Sequence, residues 1–280
     1  MGGSLYSSHL SRTREAEYKT KSREEIFVQQ NIHIQLSPFG LKVREARDSE
    51  AHPNAVPIII ALDVTGSMGR IPEDLIKNHF SNMMEFLINN GVPDAAICFC
   101  AIGDHITDRA PLQVGQFESG DIELTGDLTK IWLEGRGGGQ KMESYMLTWL
   151  FAARHTATDA FDKRNQKGFL FTIGDEWNHP IVNSKALCAI LGYEQGSPDE
   201  KSELLLKEAQ ERWNVYHIHC TDGSFGSVVS DRWKEMLGEN LIMVDSKEIT
   251  KAIASIVTSH ETITNNSTEN VDSSKITQFI

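Results

Sequence analysis

No stretch of this chain is apolar for long enough to cross a bilayer as a helix, so nothing in it reads as a membrane span. The polar N-terminus lacks the apolar centre of a secretion signal, and Tyr6 stands where N-myristoylation wants Ser or Thr. Positive charge is scarce: 27 Lys and Arg against 39 Asp and Glu leave a net charge of −12. Nucleic-acid backbones and anionic membrane surfaces both call for a basic surface, so neither is an expected partner. Cysteine is scarce too, with four residues and no pair at zinc-site spacing. Cys98 and Cys100 alternate inside an apolar run, which makes them small core residues on one side of a strand. Reduced thiols without an export signal point to a cytoplasmic protein. The chain shows no internal repeat. It has no Gly-x-Ser-x-Gly elbow for a serine nucleophile, and its Gly-rich loop lacks the Gly-Lys-Ser/Thr end of a P-loop.

What the chain does have is Pro57-Ile58-Ile59-Ile60-Ala61-Leu62-Asp63-Val64-Thr65-Gly66-Ser67-Met68-Gly69. The β-branched run predicts a buried central strand. At its end Asp63, Thr65 and Ser67 place one carboxylate and two hydroxyls at alternate positions, and a helix starts near Pro72. Hard oxygen ligands at a strand tip suit Mg²⁺, which takes few carboxylates and keeps several waters. The plain alternative is a strand-to-helix turn in which Asp63 and Ser67 cap the helix.

The rest of the chain alternates. Strands are expected at Ala95–Ile102, Phe169–Ile173, Val215–Cys220 and Leu241–Val244, with a short edge strand near Pro111–Val114. Helical spacing recurs between them, as in Leu75, Ile76, Phe80, Met83, Met84 and Leu87. This pattern predicts an α/β fold: a doubly wound, mostly parallel central sheet of about six strands with helices on both faces. Residues 1–24 are expected to be a flexible arm, 25–55 an extension packing on the domain, 56–260 the domain itself and 261–280 a disordered tail. Residues 159–167 read as a charged surface loop, and His217 and His219 as core or surface histidines rather than metal ligands.

In a doubly wound sheet, ligands sit beyond the carboxyl ends of the strands. Asp63, Asp104 and Asp175 each follow such an end. Close carboxylates repel, by about 4 kcal/mol for two at ~4 Å and an effective dielectric near 20, and a divalent cation removes that cost.

These residues resemble the metal-ion-dependent adhesion site of von Willebrand factor A domains, over roughly residues 56–258. The family's first motif is Asp-x-Ser-x-Ser, matched by Asp63, Thr65 and Ser67. Its third-loop Asp is matched by Asp175, although the family commonly reads Thr-Asp-Gly where this chain reads Gly174-Asp175-Glu176. Thr221-Asp222-Gly223 spells that motif literally, but it leaves a single strand–helix pair behind it, so Asp175 is preferred. The family's second loop supplies a Thr. This chain has none at that place, and Gln140, Glu143 or Ser144 stands as a possible oxygen donor. His179 and Glu176 lie near enough in sequence to support the site. The resemblance implies a protein-binding module, not an enzyme, that uses Mg²⁺ or Mn²⁺ to take an acidic side chain of a partner. The Glu-Ser-Tyr and Phe-x-Ile-Gly-Asp-Glu stretches are similar to a bacterial or phage intracellular branch whose relatives often work beside MoxR-type AAA+ ATPases. Two alternatives stand beside it. One is a metal-free scaffold of the same fold. The other is a phosphatase-like hydrolase using Asp63, since Asp63-x-Thr65 resembles the nucleophile motif of haloacid dehalogenase-type enzymes; there Thr65 replaces the acid that would protonate the leaving group.

Overall fold

The computed structural model of the chain describes residues 4–68, 70–135, 141–225 and 230–276. The apolar run forms β1 (Val56–Asp63). Successive side chains of a strand point to opposite faces. Ile58, Ile60 and Leu62 therefore enter one core, and Ile59 and Ala61 the other. Both faces are covered, which is why the run is continuously apolar rather than alternating.

The other strands of the sheet are β2 (Ala95–Ile102), β3 (Leu112–Val114), β4 (Gly168–Gly174), β5 (Trp213–Cys220) and β6 (Leu241–Val244). Their order across the six-stranded sheet is β6-β5-β4-β1-β2-β3. All neighbours are parallel except β3, which runs antiparallel to β2 at the edge. In register, Ile58 of β1 lies between Ile97 of β2 and Phe169 of β4. The sheet is doubly wound, with β1 central, as the alternation predicts.

The longer helices are α1 (Ser8–Lys19), α2 (Phe80–Asn89), α3 (Asp121–Thr129), α4 (Tyr145–Arg154), α5 (Ser184–Leu191), α6 (Ser202–Arg212), α7 (Ser230–Leu237) and α8 (Ile249–Ile276). Phe80, Met83, Met84 and Leu87 of α2 share one core with Ile253 and Val257 of α8. Trp149 and Leu150 of α4 share the other with Leu205 and Ala209 of α6. A turn at Ile71–Asp74 carrying Pro72 and a π turn at Leu75–His79 lead into α2. The wider turn keeps Leu75 and Ile76 in the same core as Phe80.

The structure departs from the sequence expectation at three places. Residues 1–24, expected to be a flexible arm, contain α1. Ser7 caps it by accepting the Leu10 N–H at 3.3 Å, and Arg14 reaches Asp121 at 3.0 Å and Thr125 at 2.9 Å on α3. Composition hides this helix because polar pairs, not an apolar stripe, tie it to the domain; Ser11 is its only buried residue. Residues 159–167, expected to be a surface loop, form a short helix (Asp159–Arg164) with Asp159 buried and paired to Lys163 at 2.7 Å. Finally, α8 runs on to Ile276, into the segment expected to lack fixed structure. In the extension, Ile26, Phe27 and Leu36 join the core, and Arg44–Ala46 pairs parallel with Thr156–Thr158.

Candidate functional site

From β1 the chain winds to β2 on one side and returns at β4 on the other. The crevice of a doubly wound sheet opens at this reversal, outside the carboxyl ends of the two strands. Asp63 closes β1, and its Oδ1 accepts the Thr65 N–H at 2.8 Å and the Thr65 hydroxyl at 2.6 Å. The Thr65 and Ser67 hydroxyls are 3.3 Å apart. Ser67 donates to Asp175 Oδ1 at 2.8 Å, across the reversal. One row of oxygens thus runs from the end of β1 to the end of β4. Gly135 lies beside it: a Cβ at Gly66 would stand 3.3 Å from the Gly135 carbonyl oxygen. Gln140 falls outside the described residues.

Two partners of this row escape sequence reading. The Tyr145 hydroxyl donates to Asp63 Oδ2 at 3.2 Å. That same hydroxyl fills the space over Gly174, where a Cβ would come within 1.9 Å of it. Position 174 therefore has no room for a side chain while the Tyr145 hydroxyl sits there. The loop spelling Thr221-Asp222-Gly223 also closes over Asp175. The Phe225 N–H donates to Asp175 Oδ2 at 3.2 Å, and a Cβ at Gly223 would lie 2.5 Å from the Asp175 carboxylate. Asp222 itself turns away to accept the Ser246 hydroxyl at 2.6 Å and its N–H at 2.9 Å. Only the Glu-Ser-Tyr spelling hinted at Tyr145, which reads as an ordinary core position.

Met142–Glu143 pairs parallel with Trp177–Asn178, and the Glu143 carboxyl feels the charge of Glu176. Asp63, Glu143, Asp175 and Glu176 are all buried. Burial pushes the Asp63 carboxyl up to about 7 against its two Thr65 hydrogen bonds, and Asp175 and Glu176 add to the rise. Burial, then the charges of Asp63 and Glu176, pushes Glu143 up to about 11. Burial and Asp175 take Glu176 to about 7. Glu143 Oε2 has no hydrogen-bond partner among the described residues. The largest charge effects on these groups come from other carboxylates, and the crevice is rich in oxygen donors.

Asp104 and Ser144, expected near this row, belong instead to a neighbouring cluster. Asp104 Oδ1 lies 2.8 Å from His179 Nε2 and accepts the Ile106 N–H at 2.9 Å, while Oδ2 accepts the Thr107 hydroxyl at 2.8 Å. Burial opposes its charge, but His179 and these hydrogen bonds win and hold its pKa below the usual value. The Ser144 hydroxyl accepts the His105 N–H at 2.8 Å and lies 2.7 Å from His105 Nδ1. Burial, helped by His179, pushes His105 down to about 4. The sequence pattern at the end of β2 gave Asp104 no visible partner, because His179 arrives from beyond β4. His217 is a core residue: its ring stacks on Trp233 at 3.7 Å and Nδ1 meets the Thr172 hydroxyl at 3.0 Å.

No family model and no curated protein matches the chain. Among solved structures it is similar to the open conformation of the pilus adhesin SpaC from Lactobacillus rhamnosus GG, at 11% identity and a TM-score of 0.50. The likeness is one of fold. It covers 78% of this chain but 31% of the adhesin, so the chain spans under a third of that protein's length. An aerotolerance-related membrane protein from Bacteroides fragilis NCTC 9343, carrying multiple mutations to serines, aligns at 16% identity and a TM-score of 0.41, over 72% of this chain and 98% of that one. No helix among the described residues is long and apolar enough to cross a membrane.

Proposed function

We propose that the chain is a metal-ion-dependent protein-binding module of the von Willebrand factor A type. Asp63, Thr65, Ser67 and Asp175 would hold Mg²⁺ or Mn²⁺, with Glu143 as a further oxygen donor in place of the missing Thr. The observation that carries this reading is the row of oxygens from Asp63 to Asp175, set among buried carboxylates. Two hydroxyls and two carboxylates are a hard-oxygen set that suits Mg²⁺ and Mn²⁺ rather than softer ions. A bound ion would supply a coordination position for a partner's carboxylate and reverse the local sign of charge. On an acidic chain, that reversal is what lets an acidic partner dock. Tyr145 holds one oxygen of Asp63 and the Phe225 amide one of Asp175, orienting both carboxylates. The reading assigns binding, not turnover. A MoxR-type AAA+ ATPase as partner and a cytoplasmic location belong to it through the resemblance.

The test is capture of partners from the source cell by the full chain, with and without EDTA. Capture should fall in EDTA and to a similar degree in Ser67→Ala and Asp175→Ala, because each removes the same ion. Normal capture by every variant in EDTA would refute metal-dependent docking.

One observation favours a second reading, a metal-free scaffold. The Thr65 and Ser67 hydroxyls already donate to Asp63 and Asp175, as they would where no ion is ever bound. A melting temperature unmoved by millimolar Mg²⁺ and Mn²⁺ would decide for the scaffold.

A further inference from the structure

We propose a second metal site, separate from the oxygen row and independent of that reading: Asp104, His105 and His179 bind a divalent transition-metal ion of the zinc type. Asp104 and His105 follow β2, whereas His179 arrives from beyond β4, yet one nitrogen of each imidazole and one carboxylate oxygen lie within 4.8 Å of one another. Ligands about 2.1 Å from one ion stand roughly 3.4 Å apart, so small side-chain shifts would close the set. The tightest pair, His179 Nε2 and Asp104 Oδ1 at 2.8 Å, would exchange its shared proton for the ion.

The surroundings do what supporting groups of a metal site do: they fix the ligands' orientation. Thr107 and the Ile106 amide hold the two Asp104 oxygens. Ser144 holds the His105 ring through Nδ1 at 2.7 Å. The backbone N–H of His179 donates to the Glu143 carbonyl at 3.1 Å, tying its segment down. Asp104 and His179 are buried and His105 is partly exposed, so the cluster has one open side. Three protein ligands with an open side leave room for a water or an external ligand. The donor types separate this site from the oxygen row. Two imidazoles suit zinc and its neighbours, while Mg²⁺ takes oxygen. The competing account is an Asp–His pair with a second histidine packed edge-on to it, at 4.7 Å between ring centres.

Calorimetric titration of the metal-stripped full chain with Zn²⁺, in excess Mg²⁺, decides between them. The proposal expects one tight Zn²⁺ per chain, at least tenfold weaker in both His105→Ala and His179→Gln, and about tenfold weaker in Ser144→Ala, which acts by positioning His105. Co²⁺ in place of Zn²⁺ should give a visible absorption band that both histidine variants lose. Circular dichroism checks that each variant folds; if His179→Gln does not, the partly exposed His105→Ala decides alone. No stoichiometric Zn²⁺ binding overturns the proposal, and so does wild-type affinity in His105→Ala. Neither result bears on the Mg²⁺ reading, whose test is partner capture.

Discussion

Ahead of the strands, Asp48 pairs with Arg164 at 2.6 Å, and Asp159 with Lys163 at 2.7 Å and Arg47 at 2.9 Å. Beyond their other ends, Asp63, Glu143, Asp175 and Glu176 face hydroxyls, amides and one another. Asp159 and Asp63 are both buried aspartates, yet they end on opposite sides of the usual range. Burial works against the charge of Asp159, but Lys163, the Asp48 amide and Arg47 outweigh it and take the group to about 2. Burial takes Asp63 to about 7 against its Thr65 hydrogen bonds, with Asp175 and Glu176 adding to the rise. Asp159 lies just beneath its cations and Asp63 deep in the crevice, so depth and the available counter-charge together set the carboxylate's state. The amino end of the sheet pairs its carboxylates with cations, whereas at the carboxyl end the described residues pair Asp63 and Asp175 with hydroxyls and amides.

The strongest way to break this comparison is the pH dependence of stability. Asp63 and Glu176 have raised pKa values, so between pH ~4 and 7 the folded chain keeps protons that the unfolded chain has released. Stability of the metal-free protein should then fall as pH rises through that window, by up to about 1.4 kcal/mol per pH unit for each group. Asp159 has the opposite sign: its contribution is present above pH ~4 and lost as pH falls toward 2. Urea unfolding in EDTA should peak in stability near pH ~4.5, and saturating Mg²⁺ should move the peak toward neutrality. A flat metal-free profile between pH 5 and 7 would remove the contrast.

The next effect is smaller and acts on one end at a time. At 100 times its dissociation constant, Mg²⁺ should add about 2.7 kcal/mol. Asp63→Asn should abolish that gain and, in EDTA, stabilise the fold by roughly 1 kcal/mol, because it removes an uncompensated buried charge. Arg164→Ala should do the reverse: a loss of about 1 kcal/mol as Asp48 loses its nearest cation and keeps only the more distant Lys163, with the Mg²⁺ gain intact. Thermal melts of the two variants with and without Mg²⁺ check both signs. A change as small is expected from Asp222→Ala, which loses two hydrogen bonds to Ser246, costs about 1 kcal/mol and leaves partner capture unchanged. Loss of capture in that variant, with Asp175→Ala still binding, would exchange the roles of the two aspartates.

Much of the fold was legible because it is local. The run from Ile58 to Leu62 announces a doubly covered strand by composition, and the hydroxyls of Thr65 and Ser67 follow within the same turn. Asp175 was legible as the residue after another buried strand. What stayed hidden depends on distant chain segments meeting. The Tyr145 hydroxyl, the Phe225 amide and the His179 ring each reach an aspartate from a different element, and no periodicity encodes such a meeting. The same holds for α1, which has no apolar stripe: Tyr18 packs on the core, and charge pairs tie Arg12 to Glu85 of α2 and Arg14 to Asp121 of α3.

The close approach of Tyr145 to Gly174 ties the evolution of two positions separated by a whole helix. No side chain can enter at 174 while the Tyr145 hydroxyl occupies that space, so neither residue is free to drift alone. Among homologous chains the two should change together: Tyr at the head of the helix accompanied by Gly before the aspartate, and a larger residue before the aspartate accompanied by a shorter one at the helix head. The residue at position 145 thus sets how large a side chain position 174 can hold.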